Sequence, residues 1–450
     1  MELKHFSLFV QAPYFNKNKD IAKLLEYLNL QHPDFPEEQV KKTTIFEKFY
    51  PNEPYDDKQI RYLMSNLLKL GEQFLLVQKI KKEPIDASFQ LLDEYNQRRL
   101  DKHYAQLRKK TIDKIGKQKC INTELLFQKI KLSDLDEHQF ALQHNRIFDD
   151  NIQTGSDTLN QFFVLKKLKY ACAMLDRQAL LKGDYKLGIP KGWISWIQAN
   201  DFFGQKIIEI YVGVFKALKN EKDYENFKNL KELLFSNPEN ITSDDMRDLF
   251  FFSINYCIRK IRKGEDSFRK EALDLYLKGI ETKVILDNNQ LSPWTFGNIV
   301  KLSFKSKDSQ WIEHFIERNI HLLPPHFQQN ALQYNLAELY FFKGDFEKAL
   351  TQLIRVEFSD LVYQLGSRTM LAKIYTELDE KDALFSLLSA FSMFLKRNKK
   401  ISDNIRTTYL NFCQILSAIA RNKRKDIKER INQTKLLTDR SWLLSKVKGD

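Results

Sequence analysis

The stretch Asn335-Leu-Ala-Glu-Leu-Tyr-Phe-Phe-Lys-Gly-Asp-Phe-Glu-Lys-Ala-Leu350 reads as a helix, a tight turn at Gly344-Asp345 and a second helix beginning at Phe346. The pattern returns along the chain. Leu371, Ala372 and Tyr375 echo Leu336, Ala337 and Tyr340 at a spacing of 35, and Ala383 echoes Ala349 at 34. Tyr409 follows Tyr375 by another 34 residues, although the turn after it has lost its glycine. A period of this length belongs to arrays in which one helix pair cannot bury its own apolar face and needs a neighbour stacked against it.

Elsewhere, apolar residues recur three and four positions apart, as in Ile21, Leu24, Leu25 and Leu28, and again in Ile60, Leu63, Met64, Leu67 and Phe74. That spacing turns one face of a helix inward, and no sustained period-2 alternation competes with it. Glycine (14) and proline (11) are scarce among 450 residues, which disfavours turn-rich sandwiches, barrels and phosphate-cradling α/β enzymes. Pro33 and Pro36 close the first of these helices, Pro51 and Pro54 precede a cap at Asp56-Asp57, and Thr242-Ser-Asp-Asp245 opens another in a capping pattern. Trp294 to Ile316 and Ile254 to Leu277 read as degenerate helix pairs, with Pro324-Pro325 ending the former.

At Leu336, Ala337, Tyr340, Gly344, Phe346 and Ala349 the chain resembles the tetratricopeptide repeat, and Leu371, Ala372, Tyr375 and Ala383 repeat the likeness. It is specific over about 335–391 and degenerate over about 200–334. The resemblance implies an antiparallel helix-pair solenoid in which these residues form the framework where helices cross closely and do not touch a ligand.

The first block has its own likeness. Leu24-Leu25-x-x-Leu28, the helix ending at Tyr50-Pro51 and then Ile60-Arg61-Tyr62-Leu63-Met64-Ser65-Asn66-Leu67 resemble the winged-helix domain of antibiotic-pathway regulators. That resemblance implies a DNA-reading helix presenting Lys58, Arg61, Ser65 and Lys69. Tyr50 stands where that family has Trp, and Phe74 to Lys82 lacks the glycine turn of a wing, so a plain helical cap on the solenoid accounts for the same residues. Pro13-Tyr14-Phe15-Asn16 also looks like the start of uncharacterised bacterial helical proteins.

Net charge is +13 and is concentrated. Gln97 to Lys119 carries +7 and Lys396 to the C-terminus +10, which leaves −4 for the remainder. Local basicity of this kind is the footprint of a polyanion or an acidic protein surface, or else a solvated helix face. The basic helix expected over 89–115 brings Arg98, Arg99, Lys102, Arg108, Lys109 and Lys110 together, and Arg421, Lys423, Arg424 and Lys425 make a second cluster.

No catalytic constellation is visible. Gly183 and Gly188 have the first spacing of a phosphate loop, but Ile189-Pro190 follows and proline removes an amide donor. His138 and His144, and His314, His321 and His326, miss the i, i+4 spacing of a metal site. Cys120, Cys172, Cys257 and Cys413 lie 52, 85 and 156 residues apart and read as buried thiols. Asp56-Asp57 and Asp244-Asp245 read as caps, and Asp149-Asp150 is a third acidic pair. Uncharged apolar stretches such as Leu384–Leu395 and Thr407–Ala420, 12 and 14 residues long, fall short of a membrane span, and the charged N-terminus does not read as a signal peptide.

The expectation is an all-α protein of the cytoplasm: a helical block over 1–82, basic linking helices over 83–200 and a degenerate tetratricopeptide-like array over 201–450. Its expected function is a non-enzymatic scaffold, with no cofactor or metal, that binds a protein or peptide partner. The alternative is a nucleic-acid-binding regulator using the N-terminal helices and the basic helix 89–115.

Overall fold

The computed structural model describes residues 2–142, 148, 150–180, 185–200, 205–220, 224–236, 241–356, 361–399, 401–421 and 426–447. Among them lie 23 α-helices, a short 3₁₀ turn at Ile320–Leu322 and no strand. The chain divides into two compact units, Met1–Lys167 and Leu168–Asp450, and the division falls within the helix Asn151–Leu180.

The first unit holds α1 (Glu2–Gln11), α2 (Lys19–Leu30), α3 (Glu37–Val40), α4 (Lys42–Phe49), α5 (Asp57–Lys82), α6 (Pro84–Gln97), α7 (Asp101–Gly116), α8 (Thr123–Leu142) and the start of α9 (Asn151–Leu180). The 3.6-residue pattern places Ile21, Leu24 and Leu25 against Ile45, Phe46, Ile60, Leu63 and Leu67, closing one core from α1, α2, α4 and α5. Asp56 caps α5, its Oδ1 accepting from the amides of Lys58 and Gln59 at 2.7 and 3.2 Å. A second core joins Phe89 and Leu92 of α6 to Tyr104 and Ile115 of α7 and Leu125 and Leu132 of α8.

The basic stretch 89–115 is therefore two helices, contrary to the expectation of one. The amides of Arg98, Arg99 and Leu100 donate to the carbonyls of Glu94, Asn96 and Tyr95 at 3.1, 3.1 and 2.9 Å. Arg99 takes a left-handed φ of 56°, the local geometry that ends a helix. The break is driven by packing: the buried Asn96 donates to the Leu135 carbonyl at 3.1 Å, and folding back lets both helices close a core with α8.

The second unit continues through α10 (Trp193–Ala199), α11 (Lys206–Lys219), α12 (Tyr224–Ser236), α13 (Ser243–Arg262), α14 (Phe268–Glu281), α15 (Pro293–Ser303), α16 (Ser309–Asn319), α17 (Pro325–Lys343), α18 (Phe346–Leu353), α19 (Leu361–Glu377), α20 (Lys381–Arg397), α21 (Asp403–Ala420), α22 (Ile427–Gln433) and α23 (Arg440–Val447). From α11 to α23 each helix packs on the next in sequence or on the one after it, as α15 does on α17 and α17 on α19. Gly344 ends α17 at φ 79°, and Asp345 caps α18 by accepting from the Lys348 amide at 3.3 Å.

Thr242 caps α13 as its sequence suggests, but Asp245 does more than assist it. Asp245 is 1 % exposed, accepts from the Tyr211 hydroxyl and the Thr242 hydroxyl, each at 2.8 Å, and pairs with Lys169. A buried carboxylate with this many donors ties α9, α11 and α13 together, because removing any partner leaves desolvated charge. Cys172, Cys257 and Cys413 are buried, with burial pushing the Cys413 thiol up to about 12, whereas Cys120 is only half-buried.

Ala337, Ala349 and Ala372 are fully enclosed, and Ala337 and Ala349 share a core with Leu353, Val356, Met370 and Ile374. Space there admits a methyl group and little more. Ala337→Leu and Ala372→Leu are each expected to lower stability by about 1–3 kcal/mol through overpacking, while Ala390→Leu, on an exposed face of α20, stays within roughly 0.5 kcal/mol. Denaturant midpoints of the three variants at constant slope check this.

Candidate binding groove

Two cavities of about 570 and 410 Å³ lie in the second unit and share Lys301, Tyr334, Gly366 and Tyr409 in their walls. They adjoin at these residues and are treated together as one groove, whose walls come from α15, α17, α19 and α21 and from Thr438-Asp439 before α23, rather than from the intervening α16, α18 and α20.

Charge inside the groove is balanced. Lys301 Nζ lies 3.1 Å from Glu338 Oε1, and Lys373 Nζ lies 2.8 Å from Asp439 Oδ1. Glu338 is 6 % exposed, and its carboxylate holds the Lys301 ammonium above its ordinary value. Burial, reinforced by Glu338, pushes the Tyr334 phenol well above the usual range, and burial with Asp439 nearby does the same more mildly to Tyr409. Both phenols stay protonated at neutral pH and can donate or accept. Aromatic rings fill the walls. Tyr334 meets Tyr363 edge-on at 5.6 Å, Phe304 stacks on Phe342 at 4.8 Å, and Trp294 is left 59 % exposed.

Two mid-helix glycines shape the floor. A Cβ on Gly366 would lie 2.8 Å from the Tyr334 hydroxyl, so the phenol rests directly on the α19 backbone. A Cβ on Gly297 would meet Asn335 Oδ1 at 3.7 Å, an ordinary contact. Glycine within a helix costs about 1 kcal/mol relative to alanine, so each of these needs a packing or binding reason.

The residues expected to form a repeat framework do not line the groove. Leu336, Tyr340, Phe346, Leu371, Tyr375 and Ala383 are half-buried beside the enclosed Ala337, Ala349 and Ala372. Tyr340 also donates to Glu313 Oε1 at 3.0 Å, linking α17 to α16. Tyr334, Asn335, Glu338 and Lys301 were not singled out by the sequence pattern. The available signal was the pair of glycines, Gly297 and Gly366, inside otherwise helical stretches.

The basic candidates separate into engaged and open groups. Arg98 pairs with Glu94, Arg99 donates to the Leu142 carbonyl at 3.0 Å, and Arg108 bonds Asp136 at 2.7 Å beside Tyr104. Lys102, Lys109, Lys110, Lys114 and Lys117 are exposed, with no carboxylate at ion-pair distance among the described residues. At 100° per residue Lys102, Lys109 and Lys110, with Lys117 just past the end of the helix, share the face opposite Tyr104, Thr111 and Ile115 with the exposed Asp113, while Lys114 lies about a quarter turn from the buried side. Arg421 lies over the Phe385 ring at 5.3 Å, and Lys423, Arg424 and Lys425 fall outside the described residues. On α5, Lys58, Arg61, Ser65 and Lys69 form one exposed strip, Arg61 pairs with Asp57 at 2.5 Å, and the helix runs unbroken to Lys82. Among the described residues no three His, Cys, Asp or Glu side chains gather as a metal-binding group, and no helix is long and apolar enough to cross a membrane.

The chain matches no known family, no curated protein and no solved structure.

Because Glu338 is buried and Lys301 is half exposed, the pair is asymmetric: loss of the lysine strands a desolvated charge, while loss of both removes the problem. Lys301→Met is expected to destabilise by roughly 1–3 kcal/mol, and Lys301→Met with Glu338→Met to recover most of that. A double-mutant cycle by chemical denaturation reads the coupling directly.

Proposed function

We propose that this protein is a non-enzymatic scaffold of the cytoplasm whose second unit stacks antiparallel helix pairs in the tetratricopeptide-like manner and binds a protein or peptide partner in the groove. The observation that carries this reading is the groove itself, walled by the alternate helices α15, α17, α19 and α21. In stacked helix pairs the first helix of each pair shares one surface with its counterparts, and such surfaces are extended enough for a chain segment. Sequence-adjacent packing from α11 to α23 and the recurrence of Leu-Ala and Tyr at 34–35 residues support the same arrangement. An exposed tryptophan beside buried aromatics and balanced charge is the composition of an interaction site, where aromatic anchors dominate.

A photo-cross-linking benzoylphenylalanine in place of Trp294 is expected to capture one partner polypeptide in the native cell, whereas the same group at Ile354, 68 % exposed at the end of α18, captures none. Gly297→Leu fills the groove with a better helix former and is expected to abolish the adduct without loss of thermal stability. No adduct from position 294, or equal adducts from both positions, discards the groove as the binding surface.

A second reading rests on the lysine face of α7. Five lysines over some four turns suit a phosphate backbone, and the strip on α5 is the place where the winged-helix resemblance puts its DNA-reading helix. On this reading a random 20-base-pair duplex binds in the micromolar range, with log K falling against log salt at a slope of about −4 to −5, and Lys109→Glu with Lys110→Glu removes binding. Retention that ignores salt and charge reversal eliminates it.

A further inference from the structure

Asn335 is 2 % exposed, and its amide is only half satisfied. Its Nδ2 donates to the Ala331 carbonyl at 2.7 Å, but its Oδ1 has no donor. A neutral acceptor buried without a partner is costly, and it is uncommon enough in folded proteins to require a reason. The atom lies under Gly297. A side chain at that position would meet Oδ1 first, at 3.7 Å, and glycine leaves the space empty on the wall of the 410 Å³ cavity.

This notch has a chemistry. It presents an acceptor, so what enters brings an N–H. Glycine in the wall lets a backbone approach where a side chain would hold it off. One helical turn further along α15, Lys301 spends one contact on Glu338 Oε1 and keeps its other ammonium protons for an acceptor. An N–H donor and a C=O acceptor on the same edge, repeating every second residue at about 6.6–6.8 Å, is what an extended peptide offers. Gly297 and Lys301, four residues apart on a helix, are spaced by a similar distance, about 6 Å. The opposite direction along α15 leads to Trp294 and the rings of Phe327 and Tyr363, an apolar recess.

Resting on the groove reading above, we propose that the ligand is an extended, uncharged peptide segment held by its main chain. One of its amides donates to Asn335 Oδ1 through the Gly297 notch, a carbonyl on the same edge accepts from Lys301, and an apolar side chain sits beside Trp294. The segment is uncharged because Lys301 with Glu338 and Lys373 with Asp439 already neutralise each other, so an added charge of either sign meets a like charge in the wall.

The test uses the full chain and pools of fluorescent hexapeptides with blocked ends: one pool built from Ala, Ser, Gln, Leu, Phe and Tyr, a second containing Lys and Arg, and a third containing Asp and Glu. The uncharged pool is expected to bind best by polarisation. A bound sequence from it, resynthesised with one N-methyl amide at a time, is expected to lose about tenfold or more in affinity at one position and to tolerate methylation at its neighbours. Gly297→Ala and Asn335→Leu are each expected to weaken binding to a similar extent while melting temperature is unchanged or higher, an outcome that a merely structural role for Asn335 does not produce. Preference for a charged pool, indifference to N-methylation, wild-type affinity in both variants, or no binding from any pool overturns the proposal. If the Trp294 cross-link forms in any of those cases, the groove reading stands and only the ligand chemistry fails.

Discussion

Helix α17 packs against four others at once, α16 and α18 next to it in sequence and α15 and α19 beside it along the groove. From Asn330 to Leu339 no residue of the helix is exposed, so this middle stretch has no solvent face on which to place polar residues. Asn330, Gln333, Asn335 and Glu338 are accordingly all less than a tenth exposed, and each depends on what the neighbouring helices offer. The close approach that makes this enclosure possible is set by the alanines. Ala337 on α17 and Ala349 on α18 leave room for backbones to meet, and a larger group at either place would push α18 away from α17, one of the groove's walls.

Part of the C-terminal basicity is consumed inside the fold. Arg406 donates to the carbonyls of Leu395, Asn398 and Ile401 at 3.0, 3.2 and 2.9 Å, closing the end of α20, and Arg440 does the same for carbonyls at the end of α22. The last carbonyls of a helix lack internal partners and sit at the negative end of its dipole, so a guanidinium with several donors is well suited to them. Lys373 and Trp442 tether the final helix through Asp439 and Glu377. In the first unit Arg108 is held in the same way by Asp136. The exposed lysines of α7, with Asp113 among them, and Lys58 and Lys69 on α5 are not held in this way.

The helices were legible because apolar spacing and caps are local. Asp56, Thr242 and the Gly344-Asp345 turn could be read from a few residues each, and their hydrogen bonds are those expected. The break at Arg98-Arg99-Leu100 was not legible, since neither glycine nor proline marks it and its cause is the packing of α6 and α7 on α8. The groove was hidden for a related reason. Asn335 and Glu338 stand on either side of Leu336-Ala337 and look like the polar face of an amphipathic helix until both sides of that helix are seen to be occupied.

By itself the sequence determined that the chain is helical and where several of its helices start or stop, because propensity, period and capping act within a turn or two of each residue. Only the tertiary structure decided that Asp245, Asn335 and Glu338 lie in the interior, that Gly297 and Gly366 face one cavity, and which of the cations are engaged. Burial and partnership are properties of what lies across from a residue, and what lies across comes from positions tens of residues away.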